Sequence, residues 1–391
     1  MASNTQNVNC SRDWIDKKAA PSLCFVYTWN DGRPLVPARH ASWPAGEAVV
    51  RGAADPVRVM LAKEAASPYL LAMTDTPAFL DSARPDVPDI VVPRGIFPFF
   101  LPSRPVRGRL IRLGALADAL LTRHDNHPAV TALAGQALAL AAGLASALKF
   151  RGSFSLQAKG DGPVPMLLAD CTEAGALRGY ARADDERLTA LLAEEPAPSA
   201  AQLLGGGYLA FTVDQGADLE RHQGIVSIEG EALSDMALHY FETSEQMKCM
   251  VRLACAKTLD GWRAAALVLE QVAGEGGIDP QLSEAAQEEA WRTATTLAAT
   301  LTERELLDDA LDPEVLLYRL FGAEGVAGDL PRALAYGCRC SRSRLAGILE
   351  GFPADDLDHM AVGSDIVMTC EFCNYDFRFA RDGVRGSETA E

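Results

Sequence analysis

Four cysteines near the end of the chain constrain the fold most. Cys338-Arg339-Cys340 is followed, after twenty-nine residues, by Cys370-Glu371-Phe372-Cys373. Tetrahedral zinc takes four sulfurs, and two short loops can each present two of them. The spacing therefore predicts one Zn2+ held by Cys338, Cys340, Cys370 and Cys373. Four unrelated thiols, or two structural disulfides, would not need paired cysteines on two knuckles.

The flanking residues say what such a metal would clasp. Ser341 is placed to cap a helix running to about Phe352, with Leu345, Ile348, Leu349 and Phe352 as its apolar face. Ile366 to Thr369 reads as a strand, Cys370 to Cys373 as a metal knuckle and Tyr375 to Phe379 as the return strand. The helix N-terminus and Arg339, Arg342 and Arg344 favour thiolate over thiol. A unit this small has a thin core, and zinc can supply about 10–16 kcal/mol of its apparent folding energy. Removing zinc should then unfold it. Oxidation removes zinc, because a disulfide is no thiolate donor, and each cysteine has a near partner with which to close. Peroxide and hypochlorous acid are suitable oxidants. His359, beside Asp355-Asp356-Leu357-Asp358, reads as a loop residue, since four sulfurs already complete the tetrahedron.

The rest of the chain is ordinary by comparison. Its 391 residues suffice for two or more folded units, and 48% apolar residues for a sizeable core. A net charge of −17 disfavours nucleic acid and anionic membranes as partners. Nine cysteines, an odd number mostly unpaired, fit a reducing compartment, hence a cytoplasmic protein. Residues 1–30 lack the basic start and apolar core of a signal peptide. Residues 1–72, with Cys10 and Cys24, show no sustained period, and Met73 opens a polar run. The expectation is that translation starts at Met73, which would make residues 1–72 an artefact of gene calling, or else that they are a poorly ordered extension; either way residues 1–91 fall outside the folded part. Pro128 to Leu148 carries no charge over twenty-one residues. Its alanines and glycines, with Thr131, Gln136 and Ser146, favour a buried helix over a membrane span.

Residues 92–272 read as an α+β domain on an antiparallel sheet. Strands are predicted at Ile96 to Leu101 (interrupted by Pro98), Val106 to Leu113, Ser153 to Ala158, Val164 to Ala169, Ala176 to Ala181, Tyr208 to Val213, Ile225 to Ile228, Cys249 to Cys255 and Trp262 to Gln271. Helices are predicted near Ala115 to Arg123 and Leu233 to Phe241. Cys171, Cys249 and Cys255 read as buried inert thiols. His124, His127, His222 and His239 have no metal or triad spacing and read as structural or surface groups. Residues 273–330 hold thirteen Asp/Glu against three Arg, a net of −10. They also carry helix signals: a Thr302/Glu305 capping box, Asp312-Pro313 at a helix start, and a stripe of Leu316, Leu317, Leu320 and Phe321. Such helices pack marginally, because like charges repel. Two readings stand level: a solvated connector, or a metastable helical linker whose apolar face is covered in one state and released in another. Residues 331–381 form the C-terminal zinc unit and 382–391 a disordered tail.

The chain resembles the heat-shock protein 33 (Hsp33) family. The resemblance is carried by Gly337-Cys338-Arg339-Cys340-Ser341-Arg342, Val367 to Cys373, and Tyr375 to Phe379. Arg107-Gly108-Arg109, Gly160 to Val164, Gly179 to Arg182, Gln223 to Val226 and His239 to Phe241 with Ser244 to Gln246 add to it, as do Glu305 to Leu307 and Leu316 to Leu320. The spacer after the knuckle is short, only Asn374 before Tyr375, but no ligand is lost. The resemblance implies an N-terminal α+β domain, a metastable helical linker and a C-terminal zinc domain. It implies an ATP-independent holdase chaperone that is off when reduced and zinc-bound. Oxidation would join Cys338 to Cys340 and Cys370 to Cys373, expel zinc, unfold the zinc domain and linker, and expose surface for unfolded clients, with homodimerisation. A zinc-ribbon nucleic-acid-binding protein is the alternative. Residues 331–381 hold six basic against seven acidic residues, so no basic face supports it. Four cysteines make a closed site, which argues against an enzyme.

Overall fold

The computed structural model describes residues 89–102, 104–147, 152–215, 222–272 and 283–384. The expected start at Met73, Cys10, Cys24 and residues 385–391 of the expected tail lie outside the described residues.

The chain begins with β1 (Val91–Leu101) and β2 (Val106–Arg112), then α1 (Ala115–Leu121) and α2 (Pro128–Ala147). A meander follows: β3 (Ser153–Gly160), β4 (Met166–Thr172) and β5 (Ala176–Arg182). Next come α3 (Asp185–Glu194), α4 (Ala200–Leu204), β6 (Gly207–Asp214), β7 (His222–Ser227), α5 (Leu233–Tyr240), β8 (Cys249–Thr258) and β9 (Gly261–Gln271). The acidic stretch forms α6 (Glu284–Ala299), α7 (Glu303–Leu307) and α8 (Pro313–Phe321). Two further strands, β10 (Ala327–Gly328) and β11 (Arg332–Tyr336), lead to the cysteine unit: α9 (Arg342–Leu349), α10 (Ala354–Met360), β12 (Ala361–Val362), β13 (Asp365–Thr369) and β14 (Asp376–Ala380).

The large sheet runs β7-β6-β3-β4-β5-β11-β1-β2-β9-β8, with β10 beside β1. It consists of two antiparallel halves. They meet at β11, which pairs parallel to β5 and antiparallel to β1. Arg332 to Tyr336 opens the stretch 331–381, yet these residues are a strand of the large sheet.

Pro98, expected to interrupt a strand, lies inside β1. A proline has no N–H for the ladder, so it needs a gap on one side. It has one, because β1 changes partner between Ile96, opposite Arg332, and Phe99, opposite Gly328.

The charge-free helix α2 is a core element, buried along nearly its whole length against the inner face of the sheet. Its small residues let it lie close. A Cβ on Gly135 would stand 2.3 Å from the Cys255 sulfur, and one on Gly179 of β5 would stand 2.8 Å from Leu138 of α2. Cys249, Val251, Leu253 and Cys255 share the inner face of β8, as their alternation predicts. Burial pushes the thiols of Cys171 and Cys255 up to about 12 and that of Cys249 higher still, which keeps them protonated and inert.

The outer face of the β1-β2-β9-β8 half has a separate core. Phe97, Phe99, Leu101, Leu110, Leu267 and Leu269 are covered there by α6–α8 through Ala294, Ala298, Leu306, Leu316, Leu320 and Phe321. α7 and α8 start where their caps predict, with Thr302 and Glu305 forming a capping box and Asp312 preceding Pro313, and α6 is capped by Ser283, which accepts from the Ala286 N–H. The acidic segment is therefore an amphipathic cover on an apolar sheet face.

Candidate metal centre

Cys338 and Cys340 sit in the loop joining β11 to α9, and Ser341 caps α9 by accepting from the Arg344 N–H. Cys370 and Cys373 occupy the turn between β13 and β14. Cys370 N–H donates to the Tyr375 carbonyl, and Asn374 N–H to that of Cys370. Asn374 takes a left-handed conformation, φ 51°, which asparagine tolerates better than most residues. That one residue closes the short spacer.

The four sulfurs lie within 4.8 Å of one another. Cys338 is 3.5 Å from Cys340 and 3.6 Å from Cys370, and Cys340 is 3.5 Å from Cys373. A disulfide would need about 2.05 Å. Four sulfurs each about 2.3 Å from a tetrahedral ion stand about 3.8 Å apart, so this donor set fits a metal of zinc's size. Crowding makes the thiols share protons. The hydrogen bond with Cys340 draws Cys338 down to about 7, and Cys370 is lowered chiefly through Cys338, while Cys340 and Cys373 are raised chiefly by Cys338. A cation at the centre would take the place of those protons. Cys338 and Cys373 are buried, and Cys340 and Cys370 are partly exposed.

The unit around the site has its own small core of Leu349, Leu357, Ile366, Phe377, Phe379 and Val384. Val384 is thus packed, although the sequence assigns it to the tail. Of the predicted α9 face, Leu349 is buried, but Ile348 and Phe352 are 46% and 37% exposed. Among the described residues the unit has no further layer to cover them. Arg339 and Arg342 face away from the expected thiolate role: Arg339 pairs with Asp170, and Arg342 stacks on the Phe379 ring, 4.6 Å from its centroid. His359 hydrogen-bonds the Asp355 carbonyl and is not among the ligating group.

The sequence left unassigned the residues that seat this unit on the sheet. Asp170 of β4, 3% exposed, accepts from Arg178 Nε and Nη2 at 2.9 and 2.6 Å and from Arg339 Nη2 at 3.1 Å. Phe372, inside the knuckle, lies 4.0 Å from the Arg178 guanidinium and packs edge-on against Tyr180 at 5.2 Å. Glu371 pairs with Arg182. His124 Nε2 is 3.3 Å from the Phe372 carbonyl, and burial lowers the His124 pKa, so the neutral ring donates there. The motif Gly179 to Arg182 held part of this signal, but its partners lie almost two hundred residues away.

The molecule is thus an α+β sheet protein with a four-thiol module, able to hold a metal ion, docked beside its central strand. A family profile described as "Hsp33 protein" matches residues 95–380. The 33 kDa chaperonin of Caulobacter vibrioides (strain NA1000 / CB15N) is 39% identical over 291 residues, covering 73% of this chain and 94% of that protein. The 33 kDa chaperonin of Pseudomonas fluorescens (strain SBW25) is 34% identical over 283 residues, covering 72% and 89%. The crystal structure of the 33 kDa chaperonin of Thermotoga maritima matches with a TM-score of 0.60 at 20% identity, covering 74% of this chain and 96% of that one; it shows a shared fold. The chain belongs to the Hsp33 family.

Proposed function

We propose that the chain is a redox-regulated, ATP-independent holdase chaperone of the cytoplasm and not an enzyme. In the reduced state Cys338, Cys340, Cys370 and Cys373 hold one Zn2+, and the apolar face under α6–α8 stays covered. Oxidation takes two electrons from each cysteine pair, forms the disulfides Cys338–Cys340 and Cys370–Cys373, reduces peroxide to water and frees the zinc. The unit spanning 331–381 and the linker 273–330 then unfold from the body at 92–272. The uncovered surface binds unfolded clients, and the oxidised protein is a homodimer.

One observation carries this reading. The four-sulfur site and the acidic helices are joined by β10 and β11 in one continuous path, so losing the metal loosens a strand that directly follows the cover. The acidic surface supports neither nucleic acid nor an anionic membrane as partner.

The test is suppression of aggregation of a thermally unfolding client, with zinc release read in parallel, before and after peroxide or hypochlorite. Oxidised protein that has lost zinc and still lets the client aggregate refutes the holdase. Cys370→Ser is expected to abolish stoichiometric zinc binding in the reduced protein and to loosen residues 338–384. Unchanged zinc stoichiometry, measured by metal analysis, refutes the ligand set.

A further inference from the structure

The cover formed by α6–α8 carries its charge outward, and most of its polar ties to the body are exposed. Arg94 pairs with Asp312 and Glu314, Lys248 with Glu288, and Arg263 with Asp309, in each case with an acid partner more than 40% exposed. Pairs of this kind are weak and screened by salt. One tie is different. Arg112, the last residue of β2, is only 7% exposed and extends under the turn between α7 and α8. Its Nε donates to the Leu306 carbonyl at 2.9 Å, Nη2 to the Glu305 carbonyl at 2.7 Å, and Nη1 to the Leu311 carbonyl.

These acceptors are the groups that need a donor. α7 has only five residues, and carbonyls in its last turn find no partner within so short a helix. A cation at a helix C-terminus also opposes the helix dipole favourably. The guanidinium presents its donors in a fixed fork, which lets one side chain hold three carbonyls spread over residues 305–311. The dependence is mutual. Without Arg112 the carbonyls lose their donors, and without the carbonyls the buried guanidinium loses the three acceptors that hold it.

We propose that Arg112 is the positioning residue that seats the acidic cover on the sheet, so that the cover can be released at Arg112 independently of the metal. It reads backbone carbonyls, so its hold does not depend on side-chain identity at 305, 306 or 311. Only the activity readout of this proposal rests on the holdase reading above.

The test uses the full chain, reduced and loaded with zinc. In Arg112→Met, hydrogen exchange across residues 284–321 should accelerate on the order of a hundredfold, since each hydrogen bond to a charged group contributes roughly tenfold or more. Exchange in β3–β6 and zinc stoichiometry should not change. Arg112→Lys keeps the charge but loses the fork, and should fall between wild type and methionine. Arg94→Gln removes an exposed pair and should change exchange less than about threefold. Wild-type protection of 284–321 in Arg112→Met overturns the proposal, and so does equal loosening by Arg94→Gln. If Arg112→Met fails to fold, Arg112→Lys carries the test, and unchanged protection there overturns it equally. Client holding by reduced, zinc-loaded Arg112→Met supports both readings. A released cover without client holding leaves Arg112 in its role and refutes the cover as the lid of a client surface.

Discussion

Asp170 is a buried carboxylate with two guanidinium groups on it, one from its own sheet and one from between Cys338 and Cys340. It couples the position of Arg339, and hence of Cys338 and Cys340, to β4. Asp170→Asn keeps the shape but weakens both charge-assisted bonds. Zinc transfer from the reduced protein to a colorimetric chelator is expected to become about tenfold faster. An unchanged rate would mean that the seat does not steady the ligands. Arg109 and Glu270 form a second buried pair, 4% and 1% exposed, on β2 and β9. Glu270→Gln is expected to cost about 3 kcal/mol in urea unfolding, because it leaves Arg109 buried without its counter-charge. The double change Arg109→Met with Glu270→Leu should recover most of that loss; equal loss in single and double variants would show that the pair is not coupled. At this scale the clustering of the four cysteines was legible in the sequence, because their spacing is local. Asp170, Arg178, Tyr180 and His124 were not, because each acts on residues that only the sheet brings near.

At the scale of elements, local chemistry was read well and pairing poorly. The caps at Thr302 and Asp312, the stripe on α8 and the core helix α2 all follow from patterns within a few residues. The choice between a solvated connector and a covering element could not be made that way, since it depends on whether an apolar sheet face lies beneath. Phe97, Phe99 and Leu110 provide one. Phe321 is fully buried and stacks on Phe99 with ring centroids 5.5 Å apart, and Phe99 itself lies flat over Gly108, where a Cβ would meet its ring at 2.1 Å. Phe321→Ala should therefore lower the local stability of α6–α8 by about 3–5 kcal/mol. Limited proteolysis within 284–321 would show it as faster cleavage, with β3–β6 still resistant. Cleavage as slow as in wild type would show that the helices are held elsewhere. β11 escaped sequence reading altogether. Arg332 to Tyr336 shows no alternation, because both its faces are covered and its neighbours β1 and β5 are distant in sequence.

The whole molecule is two half-sheets closed by β11, with α2 crossing beneath both halves. Only Gly337 separates Cys338 from the end of β11 at Tyr336, so the first cysteine loop and the closing strand share one short piece of backbone. This layout makes release and reset unequal. On the proposed mechanism, breaking the site would need only two local bond-forming steps. Restoring it requires Ala335 and Tyr336 to find Ala176 and Leu177, a parallel pairing between residues about 160 positions apart, and non-local parallel pairing forms slowly. The protein should therefore show hysteresis. After reduction and return of zinc, metal occupancy should recover well before protection of β5 and β11 from hydrogen exchange. Simultaneous recovery of the two signals would contradict this. If oxidation opens the site as proposed, a chain built in this way would keep a record of an oxidising episode after the oxidant has gone, for as long as its central strand takes to return.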